Sequence, residues 1–512
     1  MSQKHGQPLR GLMTVKRSPF FQGRFGRMFR SLAPATFGAT DADNETNLAK
    51  LGLAMSSGFD LPKDGKDDEE SGIPALYTYF GQFIDHDITF DPASSLQMQD
   101  DPDALTDFRT PAFDLDNVYG RGPDDQPYLY DGGNSFLLGD PLKNGDPKAQ
   151  DLPRNNAKIR RALIGDPRND ENTIVSQLQG LMLRFHNHTV ADNPKLTFPE
   201  LQKLVRFHYQ YVILNDFLPR IIQSSVLDGL KSGGHFDQGK LKFFHWKHEP
   251  FMPVEFSVAA YRLGHSMIRP GYRLNDDDQT LLPIFPVKAP PAPPPGLLEG
   301  LTGFRAMNPF WGIDWGRFID VDIRTYDGLP ADNKKRLQFA YRIDTSIVNP
   351  LRSLPPSVVS DLPPSLGERN LRRGWLMGLP SGQHVAKAMG VKPLDDAEIL
   401  IGQGIDHPDA PLQSITAVDK IFERNCPLWT YVLAEAMRKQ APIKIPVKEN
   451  ITGNITVTTP QLGPVGGRIV AEVFLGLMFG DANSLLTLDP TWQPKTGPAF
   501  ALKDLVKYAL GS

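Results

Sequence analysis

The chain has 512 residues, 40% of them hydrophobic, and a formal net charge of −4. That much apolar material can bury a large core, in one large domain or in two or three smaller ones, and the mild acidity argues against a general nucleic-acid binder. Cys426 is the only cysteine, which excludes an intrachain disulfide framework and any cysteine-based zinc site.

Met1 to Leu32 carries Lys4, Arg10, Lys16, Arg17, Arg24, Arg27 and Arg30 and no acid. The stretch lacks the continuous apolar segment of a secretory signal, which points to the cytoplasm or to an unconventional export route. Phe20, Phe21, Phe25 and Phe29 interleave with the basic residues, a pattern that suits RNA, an anionic membrane or a targeting receptor. We read residues 1–36 as a basic arm laid over the body of the protein and 37–512 as one domain. No apolar run approaches the roughly 20 residues of a membrane-spanning helix; the longest, Ile469 to Phe479, is interrupted by Glu472.

Thr40 to Glu70 is acidic and polar and reads as loops. Pro74 to Phe90 then reads as a buried helix, with Pro74 at an early position and Leu76, Tyr79, Phe80, Phe83 and Ile84 at helical spacing. Its end, Gly81-Gln82-Phe83-Ile84-Asp85-His86-Asp87, sets an imidazole between two carboxylates in an apolar run. Gln82 and His86, four apart, share a face, and the two aspartates lie about 100° to either side. One carboxylate can face the same ligand as His86 while the other reaches a partner behind; a salt-bridged core histidine is the plainer alternative.

Thr110 to Gly120 (TPAFDLDNVYG) reads as an extended segment in which Thr110, the Ala112 carbonyl, Asp114 and Asp116 point one way. With Asp87 added from the helix, these oxygens form a plausible Ca²⁺ cage; alone, the segment would pass as a solvated acidic loop. Gly120 to Ala162 is rich in turn signals. Asp170 is the expected N-cap of the next helix, with Arg168 in the loop before it and Glu171 in its first turn, where simple dipole compensation of about 0.3–1 kcal/mol is the alternative role. His186 and His188 do not share a helix face and read as surface residues. Pro199 to Gln223 reads as one long helix. Pro253 to Ile268 reads as another, with Arg262, His265 and Arg269 off its apolar face and Pro270-Gly271 stopping it.

Ala289 to Gly296 is polyproline-like and reads as an insertion loop. Arg369 to Arg373 alone would pass as a solvated basic face. Val418 to Gln440, Gly463 to Leu486 and Leu502 to Leu510 read as helices, and Ile451 to Thr458 as strand, in a hairpin of its own. The expected fold is mainly α, a single large domain with many loops and little β-structure.

Taken together, five ordered stretches resemble the animal-type (cyclooxygenase-superfamily) haem peroxidases, in a bacterial-like form without disulfides; the resemblance implies a secreted protein, where the missing signal implies the cytoplasm or an unconventional export route. Gly81 to Asp87 resembles that family's distal-histidine motif, Thr110 to Gly120 its calcium loop, and Asp166 to Glu171 its distal-arginine segment. Tyr261-Arg262-Leu263-Gly264-His265 is similar to its proximal-histidine segment, and Asn370 with Arg373 to its proximal asparagine and propionate-binding arginine. The resemblance implies a haem b-derived cofactor with His265 on the iron and Asn370 fixing that ring's tautomer. It implies His86 as acid and base toward hydrogen peroxide, Arg168 as the charge beside the breaking O–O bond, and Gln82 as the placer of water or halide. Asp85 and Glu171 would form ester links to the haem, and Arg262 and Arg373 would pair with its propionates. Asp87, Thr110, the Ala112 carbonyl, Asp114 and Asp116 would hold Ca²⁺.

The implied reaction is reduction of hydrogen peroxide to water through a ferryl intermediate, followed by oxidation of small donors. Asn172 stands where the most strongly oxidising family member has a haem-linked methionine, so iodide, bromide, thiocyanate or phenols are expected as donors in preference to chloride. The alternatives are a fatty-acid dioxygenase of the same superfamily and a catalytically silent scaffold. The dioxygenase needs a tyrosine three residues before the proximal histidine, where this chain has Arg262. A non-haem site from Asp85, His86 and Asp87 is the weakest reading, because consecutive helix residues cannot converge on one metal.

Overall fold

The computed structural model describes residues 23–58, 61–65, 67–89, 106–107, 109–286, 300–326, 334–356, 358–359, 362–402, 412–447 and 455–511. The proline-rich stretch 289–296 and most of the basic N-terminus lie outside them. The architecture is mainly α, with small two- and three-stranded sheets. One apolar cluster runs through nearly the whole molecule, and a second, small one gathers Tyr326, Leu337, Phe339 and Ile445.

The described part of the arm is woven into that body. Strand β1 (Gly23–Gly26) pairs in parallel with Met252–Pro253 and antiparallel with Thr106–Asp107, and Phe25 and Phe29 are buried. Arg27 donates to the Met377 and Gly378 carbonyls at 2.7 and 2.8 Å. The arm's backbone also uses a buried acid, since the N–H groups of Met28 and Phe29 both donate to the Glu255 carboxylate at 3.0 Å.

Thr40 to Glu70, expected to be loop, instead opens with helix α1 (Asp41–Ala54), capped by Thr40, and ends where strand β2 (Glu70–Pro74) begins. It pairs antiparallel with β3 (Phe339–Tyr341). Pro74 therefore closes a strand instead of opening the helix. Helix α2 (Leu76–Ile88) begins two residues later and is buried on nearly every side, so the expected apolar stripe is joined by buried Tyr77, Thr78 and Ile88 on its other faces.

Helix α3 (Thr173–Asp192) packs against α2 and is capped by Asn172, whose Oδ1 accepts from the N–H groups of Ile174 and Val175. Asp170 is not the cap. It ends a 3₁₀ turn, Pro167–Asp170, that Asp166 caps, and its carboxylate pairs with buried Arg154 at 2.8 Å. A short 3₁₀ turn followed by the long helix replaces the single element expected, and Glu171 falls between them.

His186 corrects the surface reading, because it is fully buried on α3. Its ring lies 3.0 Å from the Tyr119 hydroxyl and 2.8 Å from the Asn134 carbonyl. Burial pushes its pKa down to about 4, against the raising effect of that carbonyl. A histidine depressed in the folded state stabilises the fold above its unfolded pKa of about 6.5, and the contribution is lost as pH falls toward about 4. His186→Gln should therefore flatten the loss of stability between those pH values by up to about 3 kcal/mol in urea titrations.

The long helix expected from Pro199 is α4 (Phe198–Val212), which widens into a π turn at Ile213–Phe217. The widening precedes Pro219, which has no N–H to offer the preceding turn. The proximal segment is broken as well, into a π turn at Glu255–Ala259 and a 3₁₀ stretch at Ala260–His265. Helix α5 (Leu366–Leu376) follows β3. Helix α6 (Leu428–Met437) starts about ten residues later than its sequence pattern suggested, after a 3₁₀ turn at Lys420–Phe422, with Pro427 as its N-cap. A hairpin forms, but from β4 (Gln440–Lys444) and β5 (Thr456–Pro460) rather than within Ile451 to Thr458; residues 451–454 lie outside the described ones. Helices α7 (Gly466–Gly480) and α8 (Leu502–Leu510) finish the chain. Buried Glu435 on α6 accepts from the Val465 and Gly466 N–H groups, placing a carboxylate at the positive end of α7.

Candidate active site

Two histidines far apart in sequence are brought to neighbouring elements. His86 lies in the last turn of α2, and His265 ends the 3₁₀ stretch. The Tyr261 hydroxyl ties the two elements by donating to the Gly81 carbonyl at 3.1 Å. Gln82, Asp85, Glu171, Arg262, Gly264 and His265 are all half-buried. Nothing lies within 4 Å of where a Cβ on Gly264 would stand, which leaves open space directly beside His265.

The His265 ring is held from behind by Asn370 of α5, whose side-chain amide lies 2.8 Å from Nδ1. An amide's O and N exchange by a half-turn, and the arrangement with oxygen inward gives Nδ1 the hydrogen and frees Nε2 as a metal ligand. Burial first, and then the charge of Arg262, pushes His265 down to about 3, so the ring is neutral. Arg373 stands three residues from Asn370 on the same side of α5, and both Arg373 and Arg262 are half-buried. Arg262 Nε donates to the Ser257 carbonyl at 3.1 Å.

On the other side, His86 is almost fully buried. Its Nδ1 lies 2.7 Å from Asn169 Oδ1, and its Nε2 is 3.9 Å from Glu171 Oε1. Burial, then Arg168, pushes it down to about 3. Gln82 Nε2 donates to Glu171 Oε1, and Asn172 Nδ2 donates to Gln82 Oε1 at 3.2 Å. Because Asn172 Oδ1 is committed to the helix cap, this fixes which end of Gln82 meets Glu171. Burial raises Asp85 despite Arg168, and raises Glu171 to about 7. Asp85 also feels Arg262 across the cleft, so acids from one wall and a cation from the other share a narrow space.

Arg168 is placed behind the distal helix. Its Nη2 donates to the His86 and Thr89 carbonyls at 3.0 and 2.6 Å and to Asp166 at 2.7 Å. Asp166 is fully buried. Burial would raise its pKa, but Arg168 and then Arg109 hold it near 2. Arg109 bridges Asp166 at 2.6 Å and Asp116 at 3.0 Å.

Asp116 leads to the second group of acids. The carboxylates of Asp87, Asp114 and Asp116 lie with ligand atoms within 4.8 Å of one another. Asp87 is fully buried with no cationic side chain paired to it among the described residues, only the Leu115 N–H and the Tyr209 hydroxyl favouring its charged form, a costly arrangement for a carboxylate unless a cation completes it. Burial, with Asp116 adding to it, raises Asp114 to about 8, as expected where acids face one another without a counter-ion. The loop reaches this geometry by a turn and not by the expected extended alternation. Asp114 Oδ1 accepts from the Asp116 N–H at 3.1 Å, Leu115 takes φ 61°, and a short helix runs from Asp116 to Tyr119.

The donor set at His86 and His265 is chemically suited to a haem, and the three facing carboxylates to a hard divalent cation. Sequence reasoning missed Asn169, Gln179 and Arg109, whose partners are remote in the chain. The capping preference of asparagine was a usable signal for Asn172.

The sequence profile of the family described as animal haem peroxidase matches residues 96–287, a stretch that holds the acidic loop and His265 but not His86. The chain is 25% identical over 263 residues to a peroxidase-like protein of Margaritifera margaritifera, covering 40% of this chain and 32% of that one. It is 26% identical over 288 residues to human thyroid peroxidase, covering 53% and 27%. The chain thus spans about a third or less of these relatives' own length. Among solved structures, peroxidase A of Dictyostelium discoideum superposes with a TM-score of 0.58 at 14% identity, over 96% of this chain and 94% of that one. Fatty acid alpha-dioxygenase of Arabidopsis thaliana does so with 0.52 at 14% identity, over 93% and 76%. The matched profile over residues 96–287, the shared fold and the two histidines agree in making this chain similar to the animal haem peroxidases.

Proposed function

We propose that this protein is a haem peroxidase that reduces hydrogen peroxide to water at the expense of small donors, with residues 37–512 as the catalytic unit. The observation that carries the reading is that both imidazoles are backed at Nδ1 by an asparagine side chain, His265 by Asn370 and His86 by Asn169, which leaves Nε2 of each free for chemistry. When bound, the haem supplies an iron centre that takes two oxidising equivalents from peroxide and passes them on to a donor. The protein's part is to hold and to move protons. His265 would hold the iron through Nε2. His86 takes a peroxide proton at Nε2 and returns it to the departing oxygen. Gln82, pinned by Asn172 and Glu171, orders water or an anionic donor beside it.

Asp85 and Glu171 are the candidates for ester links to the haem, and Arg262 and Arg373 for its propionates. Asp87, Asp114 and Asp116, with the Thr110 and Ala112 oxygens, are the candidates for Ca²⁺. Arg168 steadies the end of the distal helix, and its charge reaches both His86 and Glu171. With asparagine at 172 no sulfonium link to the haem can form, which favours iodide, bromide, thiocyanate or phenols over chloride. The dioxygenase alternative is disfavoured by Tyr261, whose hydroxyl is used on the Gly81 carbonyl and whose ring stacks on Phe256.

The test is a pyridine haemochrome spectrum before and after acidic acetone extraction, with and without prior chelation of Ca²⁺. Stoichiometric haem that resists extraction is expected, with loss of haem in His265→Ala and a lower melting temperature after chelation. A wild-type protein that takes up no haem would end this reading.

A further inference from the structure

The hydrogen bonds behind His86 end on a group whose polarity cannot change. The backbone carbonyl of Asn117 only accepts, so the end of Gln179 that meets it, at 3.4 Å, is the Nε2 donor. Gln179 therefore turns Oε1 toward Asn169, whose Nδ2 donates to it at 2.8 Å. That leaves Asn169 Oδ1 facing His86 Nδ1 at 2.7 Å. An amide oxygen can only accept. Nδ1 must then carry the hydrogen, and Nε2, on the side of Glu171, keeps its lone pair.

Asn117, Asn169 and Gln179 are completely buried, so no solvent water stands ready to correct a reversed amide. Turning either side chain over would oppose acceptor to acceptor in a dry interior, where an unmade hydrogen bond is most expensive. The relay also closes on the helix it serves, because Asn117 Nδ2 donates to the Phe83 carbonyl at 3.1 Å, one turn before His86.

We infer that Asn169 and Gln179 are positioning residues that lock His86 in the Nδ1–H tautomer, the one whose Nε2 can accept a proton from a bound substrate. Neither would touch the reacting atoms; they act through His86. The effect on rate rests on the peroxidase reading, whereas the tautomer does not.

Three variants test this. Gln179→Met keeps the volume but removes Asn169's acceptor without touching His86. Asn169→Leu removes the oxygen that faces Nδ1, and Asn169→Asp retains one. The first readout is ¹⁵N-histidine NMR of the full chain before haem loading, with His86 assigned by its absence in His86→Gln. Wild type and Asn169→Asp should show hydrogen on Nδ1, and the other two a shift toward Nε2–H.

The second readout is the bimolecular rate of the haem-loaded protein with hydrogen peroxide. It should fall at least about tenfold in Gln179→Met and Asn169→Leu, inside the roughly 10²–10⁴-fold that a whole general base supplies, and stay within about threefold in Asn169→Asp. Should Asn169→Leu fail to fold, Gln179→Met carries the test. Hydrogen on Nε2 in the wild type, or an unmoved tautomer in Gln179→Met, would overturn the inference. A wild-type protein that binds haem yet leaves peroxide untouched would instead overturn the peroxidase reading, with the NMR result still deciding the tautomer.

Discussion

Replacing His86 by glutamine is expected to lower the rate with hydrogen peroxide by about 10²–10⁴-fold while leaving haem content unchanged. The two effects separate because the side chains have separate tasks. His265 would hold the iron, and its support from Asn370 does not pass through His86. Burial and the charge of Arg168 keep His86 unprotonated until pH falls to about 3. The base form is thus fully present from neutral pH down to about 5, and the wild-type rate with peroxide should be nearly flat there, declining only as pH approaches the pKa. Stopped-flow rates between pH 5 and 8, for wild type and His86→Gln at equal haem content, measure both. Equal rates for the two proteins would remove His86 from the chemistry.

The site was legible in sequence where its parts are local. Gln82, Asp85, His86 and Asp87 fall within six residues of one another, Arg168 and Glu171 within four, and helical geometry alone says which can share a face. The mainly α character was legible for the same reason, since Leu76 to Ile84 and Leu502 to Leu510 carry their own periodicity. What was hidden depends on partners remote in the chain. Asn169 is 83 positions from His86, and nothing about an asparagine in a turn announces that it faces a ring. His186 read as a surface residue because its partners, Tyr119 and the Asn134 carbonyl, come from a loop that lacks periodicity. The proximal segment read as one α-helix because composition cannot distinguish α from the π and 3₁₀ turns that tertiary packing imposes.

Glu70 is the position where a single change should cost the fold most, although it lies outside the candidate site. Its carboxylate is buried on β2 and accepts from Arg269 and from Arg336, with the Tyr326 hydroxyl donating to it at 2.8 Å. Both guanidinium groups are buried as well. Arg269 also donates to the Phe339 carbonyl at 2.9 Å, on the strand that pairs with β2. Glu70→Ala would leave two cations out of water without their counter-charge, a loss of about 3–5 kcal/mol, whereas an exposed ion pair would account for about 1 kcal/mol or less. Glu70→Gln keeps the volume and one acceptor and should cost less than alanine. Since β2 runs directly into α2, the loss should also appear as weaker haem retention, because the helix that carries His86 starts from the strand Glu70 anchors. Urea unfolding of the three proteins, with haem content measured on the same samples, checks both statements. A cost for Glu70→Ala below about 1 kcal/mol would mean that water screens these charges after all, and that β2 is held by its backbone pairing alone.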